Sequence, residues 1–304
     1  MRRVFWIALL LLPAVGAFAQ QCTTYSVVEA LDRKTGDDIN NLRPEDFEAS
    51  MGEHPLTVVS ATQNFDNRVL VLLETDNMRT ERVEDMVNLV TRMVRQAPQG
   101  RRLAFAVFSK RWKFAPSFNP DVKQRADEIR ELVEEAPALG DGVALYDALH
   151  EAIRFFGPRQ PGDTVMLISD GFDDSSHRGA SGVEKELEKS GIRLLVMMRQ
   201  PLSHVTGNFL WNPPEHDRAV LERMSVRTGG AYTMFGAQLF DFAWRGYLLG
   251  LEMPEGKTKP HSWKVKLGPL ASELHRRHTL YYPQKLPGCD GVEEQSAAKM
   301  NASQ

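Results

Sequence analysis

The alternation of apolar strands with amphipathic helices after residue 68 constrains the fold of this chain more than any other feature. Short, dense apolar runs are typical of strands buried on both faces of a sheet, and they lie at 69–73, 103–109, 164–169 and 192–198. Segments with helical spacing of apolar residues separate these runs, for example 144–156. Strands that alternate with helices favour a parallel sheet covered on both faces. We therefore predict an α/β fold with a doubly wound, mostly parallel sheet.

Two of the predicted strands end in acidic and polar side chains. Glu74, Asp76 and Asn77 follow the first strand, and Asp170 and Asp173 follow the strand at 164–169. In open parallel sheets, ligands bind beyond the carboxyl ends of the strands. These residues are therefore candidates for a functional site. Catalysis, metal binding and a plain solvated loop are all open from this pattern alone.

The segments on either side of the α/β pattern have β character. Residues 20–66 combine alternating apolar residues with turn signals, and residues 245–289 return to the same pattern. Since each segment is too short to bury a core alone, we predict that the two pair into one small β-domain. The α/β domain, residues 67–244, would then be inserted between them. Residues 290–304 are polar, and we expect a flexible tail there.

Residues 1–19 have the composition of a secretory signal peptide. Two arginines precede an apolar run that is interrupted by Pro13 and Gly16, and the small residues Ala17 and Ala19 form a cleavage site. A membrane anchor would need roughly 20 uninterrupted apolar residues. We therefore predict export to the periplasm or the medium, with no membrane span after the signal is cleaved.

The charge and the cysteines add two expectations. A formal net charge of −3 gives no reason to expect nucleic acid or an anionic membrane surface as a partner. The chain has 2 cysteines, Cys22 and Cys289, which lie near opposite ends of the exported chain. In an oxidising compartment they either pair or remain free thiols. We predict that they pair and tie the two β segments together.

Sequence motifs of common catalytic sites are absent. The sequence contains no G-x-G-x-x-G after the first strand, no P-loop and no G-x-S-x-G nucleophile elbow. His150 and Glu151 begin like a zinc-binding helix, but Arg154 stands where the second histidine would be. Without a nucleophile, a base with its orienting group or dedicated histidine ligands, binding is favoured over catalysis.

Four segments resemble a von Willebrand factor type A (VWA) domain. VLVLLETDNM (69–78) is similar to the first strand and loop of the family, which carries D-x-S-x-S. GDGVALYDAL (140–149) is similar to the second loop, G-x-T-x-L-Y-D-A-L. LISDGFDDSS (167–176) resembles the third loop, S-D-G-x-D, and MSVRTGGAY (224–232) the last helix and strand. The flanking segments resemble exported VWFA-related proteins of the acidobacterial type. The resemblance implies a Rossmann-like fold.

The resemblance also implies a position for a metal ion. In the family, three loops hold one Mg²⁺ or Mn²⁺ through Ser and Thr hydroxyls and Asp, in a metal-ion-dependent adhesion site. Here Glu74 replaces the first Asp, Asp76 and Met78 replace the two Ser, and Val143 replaces the Thr, so that only Asp170 is kept. Met and Val offer no ligand to a hard cation. We expect a degenerate site with no cofactor. A rebuilt Mg or Mn site stays open, and it would use Glu74, Asp76, Asp170 and Asp173.

Two functions follow as hypotheses. The first is an exported, non-catalytic module for adhesion or scaffolding, which binds a protein of unknown identity through the loops at the carboxyl ends of the strands. Its candidate contact residues are Glu74, Asp76, Asn77, Asp141, Asp170, Asp173 and Trp211, with Phe209 as a further aromatic anchor. The alternative is a periplasmic metal-dependent hydrolase that uses the acidic cluster.

Overall fold

The structure is a computed structural model, and it describes residues 22–76, 87–92, 94–95, 97–98, 100–119, 121–199, 215–233, 237–254, 257 and 259–289. The predicted signal peptide at 1–19 and the predicted tail at 290–304 lie outside these residues. Within the part of the chain that the structure describes, no helix combines the length and the apolar character needed to cross a membrane.

The N-terminal segment is built from strands, as its alternating pattern predicts. These are β1 (Cys22–Asp32), β2 (Phe47–Met51), β3 (His54–Leu56) and β4 (Val58–Gln63). β2 and β3 form an antiparallel hairpin around Gly52. The glycine has a φ of 61°, a conformation that other residues adopt only with strain.

The next strands build the central sheet. They are β5 (Arg68–Glu74), β6 (Arg102–Phe108), β7 (Trp112–Phe114), β8 (Thr164–Ser169), β9 (Arg193–Met198) and β10 (Tyr232–Thr233). Their spatial order is β10-β9-β8-β5-β6-β7, and all are parallel except β7. This is the strand order of dinucleotide-binding α/β sheets. The winding direction reverses between β5 and β8, which makes the carboxyl ends of these two strands the favoured binding position.

Helices cover both faces of this sheet. They are α1 (helical residues 87–92 and 94–95), α2 (Val122–Glu134), α3 (Leu145–Phe155), α4 (Ala180–Ser190), α5 (Glu215–Arg227) and α6 (Ala237–Phe242). Because side chains alternate along a strand, Val69, Val71 and Leu73 of β5 pack with α1, α2 and α6. Leu70 and Leu72 pack on the opposite face with α3, α4 and α5. The predicted doubly wound α/β fold is confirmed.

The C-terminal segment returns to the N-terminal strands. It contains β11 (Tyr247–Met253), β12 (His261–Ser262), β13 (Lys264–Leu267), α7 (Pro269–Leu274), β14 (His278–Tyr281) and β15 (Lys285–Leu286). β11 lies between β1 and β4, β14 pairs with the other edge of β1, and β13 pairs with β2. Phe47, Leu249 and Trp263 share one core. The two chain ends therefore form one β unit, while its exact boundaries stay a prediction.

A disulfide joins the two ends of the chain, and a buried contact between an acid and an arginine joins the β unit to the central sheet. Cys22 and Cys289 are bonded, with their Cα atoms 6.1 Å apart, which confirms the predicted pairing. Glu29 of β1 and Arg193 of β9 approach to 3.6 Å, and each side chain is only 1% exposed. These two side chains therefore lie at the contact between the β unit and the central sheet.

Candidate functional site

The candidate site lies where β5 and β8 end at the reversal of the sheet. Glu74 is the last residue of β5, Ser169 is the last residue of β8, and Arg199 directly follows β9. Because the three strands are parallel neighbours, their carboxyl ends place these side chains at one edge.

Glu74 is the buried centre of this edge, with 1% of its side chain exposed. Its Oε2 accepts hydrogen bonds from the Ser169 hydroxyl at 2.5 Å and from the Asp170 backbone N–H at 3.1 Å. Its Oε1 lies 2.5 Å from Nη2 of Arg199. Both carboxylate oxygens therefore have protein partners, as a buried acid requires.

Arg199 brings a positive charge between two acids. Its Nη2 lies 2.5 Å from Glu74 Oε1 and 3.6 Å from Asp170 Oδ2. The backbone N–H of Arg199 donates to the Ser169 carbonyl at 2.7 Å, which fixes the start of the side chain beside β8. We call Glu74, Asp170 and Arg199 the acid–guanidinium cluster. Arg199 and Asp170 are 19% and 18% exposed, so this cluster reaches the surface.

The protonation of Glu74 depends on its neighbours. Burial raises the pKa of Glu74 to about 7, the positive charge of Arg199 opposes this rise, and the negative charge of Asp170 adds to it. The hydrogen bonds from Ser169 and from the Asp170 amide also favour the ionised form. Without Arg199, the balance would move further toward a neutral Glu74.

Asp76 connects the first loop to the second. Its Oδ1 accepts a hydrogen bond from the Gly142 backbone N–H at 3.2 Å. Burial is the main cause that raises the pKa of Asp76, and the nearby charges of Asp174, Asp170 and Asp141 raise it further. Asp141 itself is exposed.

The close approach of the second and third loops requires glycine at position 142. Gly142 has a φ of +103°, and a Cβ atom there would lie 2.6 Å from the Ser175 hydroxyl oxygen. The second G of the G-D-G sequence therefore has a steric reason.

The acids of the third loop hold the start of α3. Asp173 Oδ1 accepts the backbone N–H of Leu145 at 2.8 Å, and the hydroxyl of Ser176 donates to the same oxygen. The Ser176 oxygen in turn accepts the backbone N–H groups of Tyr146 and Asp147 at 3.0 and 3.2 Å. These N–H groups have no partner within a helix. Asp173 therefore supports the helix N-terminus with its side chain.

Val143 stands where the resemblance implies a threonine ligand, but its side chain is buried at 1% exposure in the core on the α3 side of the sheet. Its backbone N–H donates to Asp174 Oδ1 at 2.8 Å, and its carbonyl accepts the backbone N–H groups of Asp174 and Ser175. The residue thus serves packing and loop–loop contact.

The described residues do not fit the divalent ion that the resemblance implies. The Arg199 guanidinium already contacts both Glu74 and Asp170, and Val143 contributes no oxygen at the site from its side chain. Among the residues that the structure describes, no group of three or more His, Cys, Asp or Glu side chains is arranged to hold a metal.

Several of the predicted site residues lie close together, whereas others fall in parts of the chain that the structure does not describe. Glu74 and Asp170 share the acid–guanidinium cluster, and Asp76 lies next to it at the second loop. Asn77 and Trp211 fall outside the described residues, as do Met78 and Phe209.

Sequence reasoning missed Arg199. The VWA motifs concern only the three loops, and Arg199 lies in none of them. The available signal was its position: it is a basic residue that directly follows a buried parallel strand at the same sheet edge as the two acids.

Comparisons with known proteins concern the fold. Neither a protein-family model nor a curated protein matches this chain. Solved structures to which it is similar include an aerotolerance-related membrane protein from Bacteroides fragilis, at 18% identity and a TM-score of 0.46, with 58% of this chain and 98% of that chain covered.

Two further solved structures are similar to parts of the chain. One is the conserved hypothetical protein BatB from Bacteroides thetaiotaomicron, at 19% identity and a TM-score of 0.43, with 55% of this chain and 88% of that chain covered. Another is von Willebrand factor type A from Catenulispora acidiphila, at 11% identity and a TM-score of 0.45, with 88% and 73% covered. Likeness at this level says nothing about function.

Proposed function

We propose that this protein is an exported, non-catalytic binding module that contacts a protein partner through the carboxyl-end face of its α/β sheet. We define this face by Glu74, Asp76, Asp141, Asp170 and Arg199. The observation that carries the proposal is the acid–guanidinium cluster, which lies at the reversal of the sheet and is partly exposed. In doubly wound folds this position is where ligands bind.

The polar groups at the carboxyl ends of the strands are hydrogen-bonded within the protein, which supports binding over hydrolysis. The Ser169 hydroxyl, which is fully buried, donates to Glu74, while Asp173 accepts from the start of α3. A hydrolytic site needs a nucleophile or an activated water with a base that can reach it. In the described residues, these acids are instead committed to the protein's own donors.

The disulfide supports an exported location. Disulfides persist in oxidising compartments and are rare in the reducing cytosol. The bond between Cys22 and Cys289 agrees with the signal-like composition of residues 1–19. Amino-terminal sequencing of the exported protein is expected to begin after Ala19. An exported protein that retains residues 1–19 would contradict cleavage.

The binding face is tested by a charge reversal on an exposed residue. We expect Asp141→Arg to lose a partner that the wild-type protein captures from the exported fraction, because Asp141 is exposed on the second loop. Glu53→Arg is the matched control, since Glu53 is exposed on the β2–β3 hairpin of the β unit and is not part of this face. Capture is measured by quantitative mass spectrometry of cross-linked complexes. Equal capture by both variants would place the partner elsewhere.

A further inference from the structure

We propose that Arg199 is the resident cation of this site. Its guanidinium balances the acids at the carboxyl-end face and excludes a divalent metal ion. The resemblance to VWA domains implies a metal at this edge, and the described residues do not fit one. The side chain from the end of β9 lies between the acids instead. The role of Arg199 as the cation is independent of the proposed function; only its place in a partner-binding face rests on that function.

The backbone places Arg199 where it can reach both acids. β8 and β9 are paired in register up to Ser169 and Met198, and the next N–H, that of Arg199, donates to the Ser169 carbonyl at 2.7 Å. The side chain must then cross β8 to reach β5, a distance of about two strand spacings, or roughly 10 Å between backbones. A long guanidinium side chain on one strand and a glutamate on the other cover this distance together.

The substitution of Glu for Asp in the first loop fits the same arrangement. The extra methylene group brings the Glu74 carboxylate to the Ser169 hydroxyl and to Arg199 Nη2, at 2.5 Å each. Oε2 of Glu74 thereby accepts hydrogen bonds from neutral donors, and Oε1 contacts the guanidinium of Arg199. Glu74 and Arg199 are therefore complementary replacements for an acid and a metal ion.

Charge decides against a metal in the presence of Arg199. Two ionised carboxylates carry two negative charges, and the guanidinium neutralises one of them. A divalent ion at the same acids would lie beside a fixed positive charge that does not lose its proton in proteins. Removing the guanidinium removes this positive charge and leaves the oxygen atoms of Glu74, Asp170 and the nearby Asp76, and oxygen is the ligand atom that Mg²⁺ and Mn²⁺ prefer.

The test is the gain of Mn²⁺ binding on removal of the arginine. We expect Arg199→Ala to bind about one Mn²⁺ per chain at least about tenfold more tightly than the wild type, as measured by electron paramagnetic resonance and calorimetry at about pH 8. Arg199→Lys keeps the charge, so it should remain without the metal. Arg199→Ala combined with Asp170→Asn should lose the gained binding. Mn²⁺ should also raise the unfolding temperature of Arg199→Ala alone.

Each result bears on the inference. Tight binding of Mn²⁺ by the wild type that is lost in Asp170→Asn would overturn it, as would a folded Arg199→Ala with no gain over the wild type. If Arg199→Ala does not fold, Arg199→Gln preserves much of the side-chain volume without charge, and the same gain or its absence is measured on that variant. The Mn²⁺ measurement needs no partner, so it decides the role of Arg199 even if capture through the carboxyl-end face fails.

Discussion

At the scale of single residues, the loop acids could be placed from the sequence, but their hydrogen-bond partners could not. The apolar run that ends at Glu74 and the S-D-G motif before Asp173 were enough to locate both residues at one sheet edge. Their partners, Arg199 and the N–H of Leu145, are far away along the chain. Such contacts depend on strand order and register, which a single sequence does not contain.

A second buried pair, Arg68 and Asp163, lies at the amino-terminal ends of β5 and β8. It tests how much a buried charged pair contributes to stability. Arg68 makes two contacts with Asp163, Nε to Oδ1 at 2.8 Å and Nη2 to Oδ2 at 2.6 Å, and Asp163 is fully buried. Asp163→Ala leaves the guanidinium without its counter-charge, and we expect unfolding free energy to fall by about 3–5 kcal/mol. Denaturant titration measures the change.

A neighbouring pair provides the control for this prediction. Arg102 and Asp66 lie 2.8 Å apart, but the Asp66 side chain is 67% exposed. Exposed pairs contribute less than about 1 kcal/mol, so Asp66→Ala should change stability little. Similar losses for Asp163→Ala and Asp66→Ala would show that burial does not set the strength of the Arg68 pair.

At the scale of elements, the central strands and their helices followed from the sequence because their signals are local. The run at 164–169 agrees with β8, and 144–156 agrees with α3 to within a residue at each end. The C-terminal segment was harder. It contains the helix α7, Pro269–Leu274, in a stretch whose sequence has general β character. The sequence did not indicate this helix, because six residues are too few to establish a helical period.

The start of α3 depends on the third loop, which gives a prediction for Ser176. Its hydroxyl oxygen accepts the N–H groups of Tyr146 and Asp147, while the N-cap residue of α3, Ala144, makes no capping hydrogen bond with its side chain. Ser176→Ala should lower the unfolding free energy by about 0.5–2 kcal/mol, the usual effect of losing an N-cap. Ser175→Ala is the control, because the Ser175 hydroxyl donates only to Asp174 among its described contacts. Thermal unfolding of both variants measures the difference. Equal stability of the two variants would contradict a capping role.

At the scale of the whole molecule, the return of the C-terminal segment to β1 could be predicted from length, since neither end buries a core alone. The contact of that β unit with the central sheet could not, because it includes Glu29 and Arg193, two ionisable residues that are buried there. Nothing in the local sequence distinguishes them from surface charges.

Burial of Glu29 predicts a pH dependence of stability. Desolvation raises the pKa of Glu29 from 4.5 to about 8, more than the charge of Arg193 lowers it. The folded chain therefore holds a proton that the unfolded chain releases, so this contribution to stability is complete below pH 4.5 and is lost as the pH rises toward about 8.

Glu29→Gln should reduce the fall in unfolding free energy with rising pH, by an amount on the order of a few kcal/mol between about pH 5 and pH 8. Denaturant unfolding at several pH values measures it. Glu45→Gln is the control, because the Glu45 side chain is 65% exposed. Other buried acids titrate in both proteins, so the difference between variant and wild type is the quantity to compare. Parallel pH profiles would mean that Glu29 is ionised in the folded protein.

The disulfide encloses nearly the whole described chain, and this gives the last prediction. Cys22 and Cys289 are separated by 267 positions, and the α/β sheet lies entirely inside the loop that they close. A long loop loses much conformational freedom in the unfolded state when it is closed, and losing such a bond costs about 2–5 kcal/mol. Joint replacement, Cys22→Ser with Cys289→Ser, should lower the unfolding free energy by this amount. Since β1 and β11 remain paired, the fold itself should persist. A reducing agent should weaken the wild type equally and leave the double variant unchanged. A wild type equally stable when oxidised and reduced would show that other contacts already hold the chain ends together.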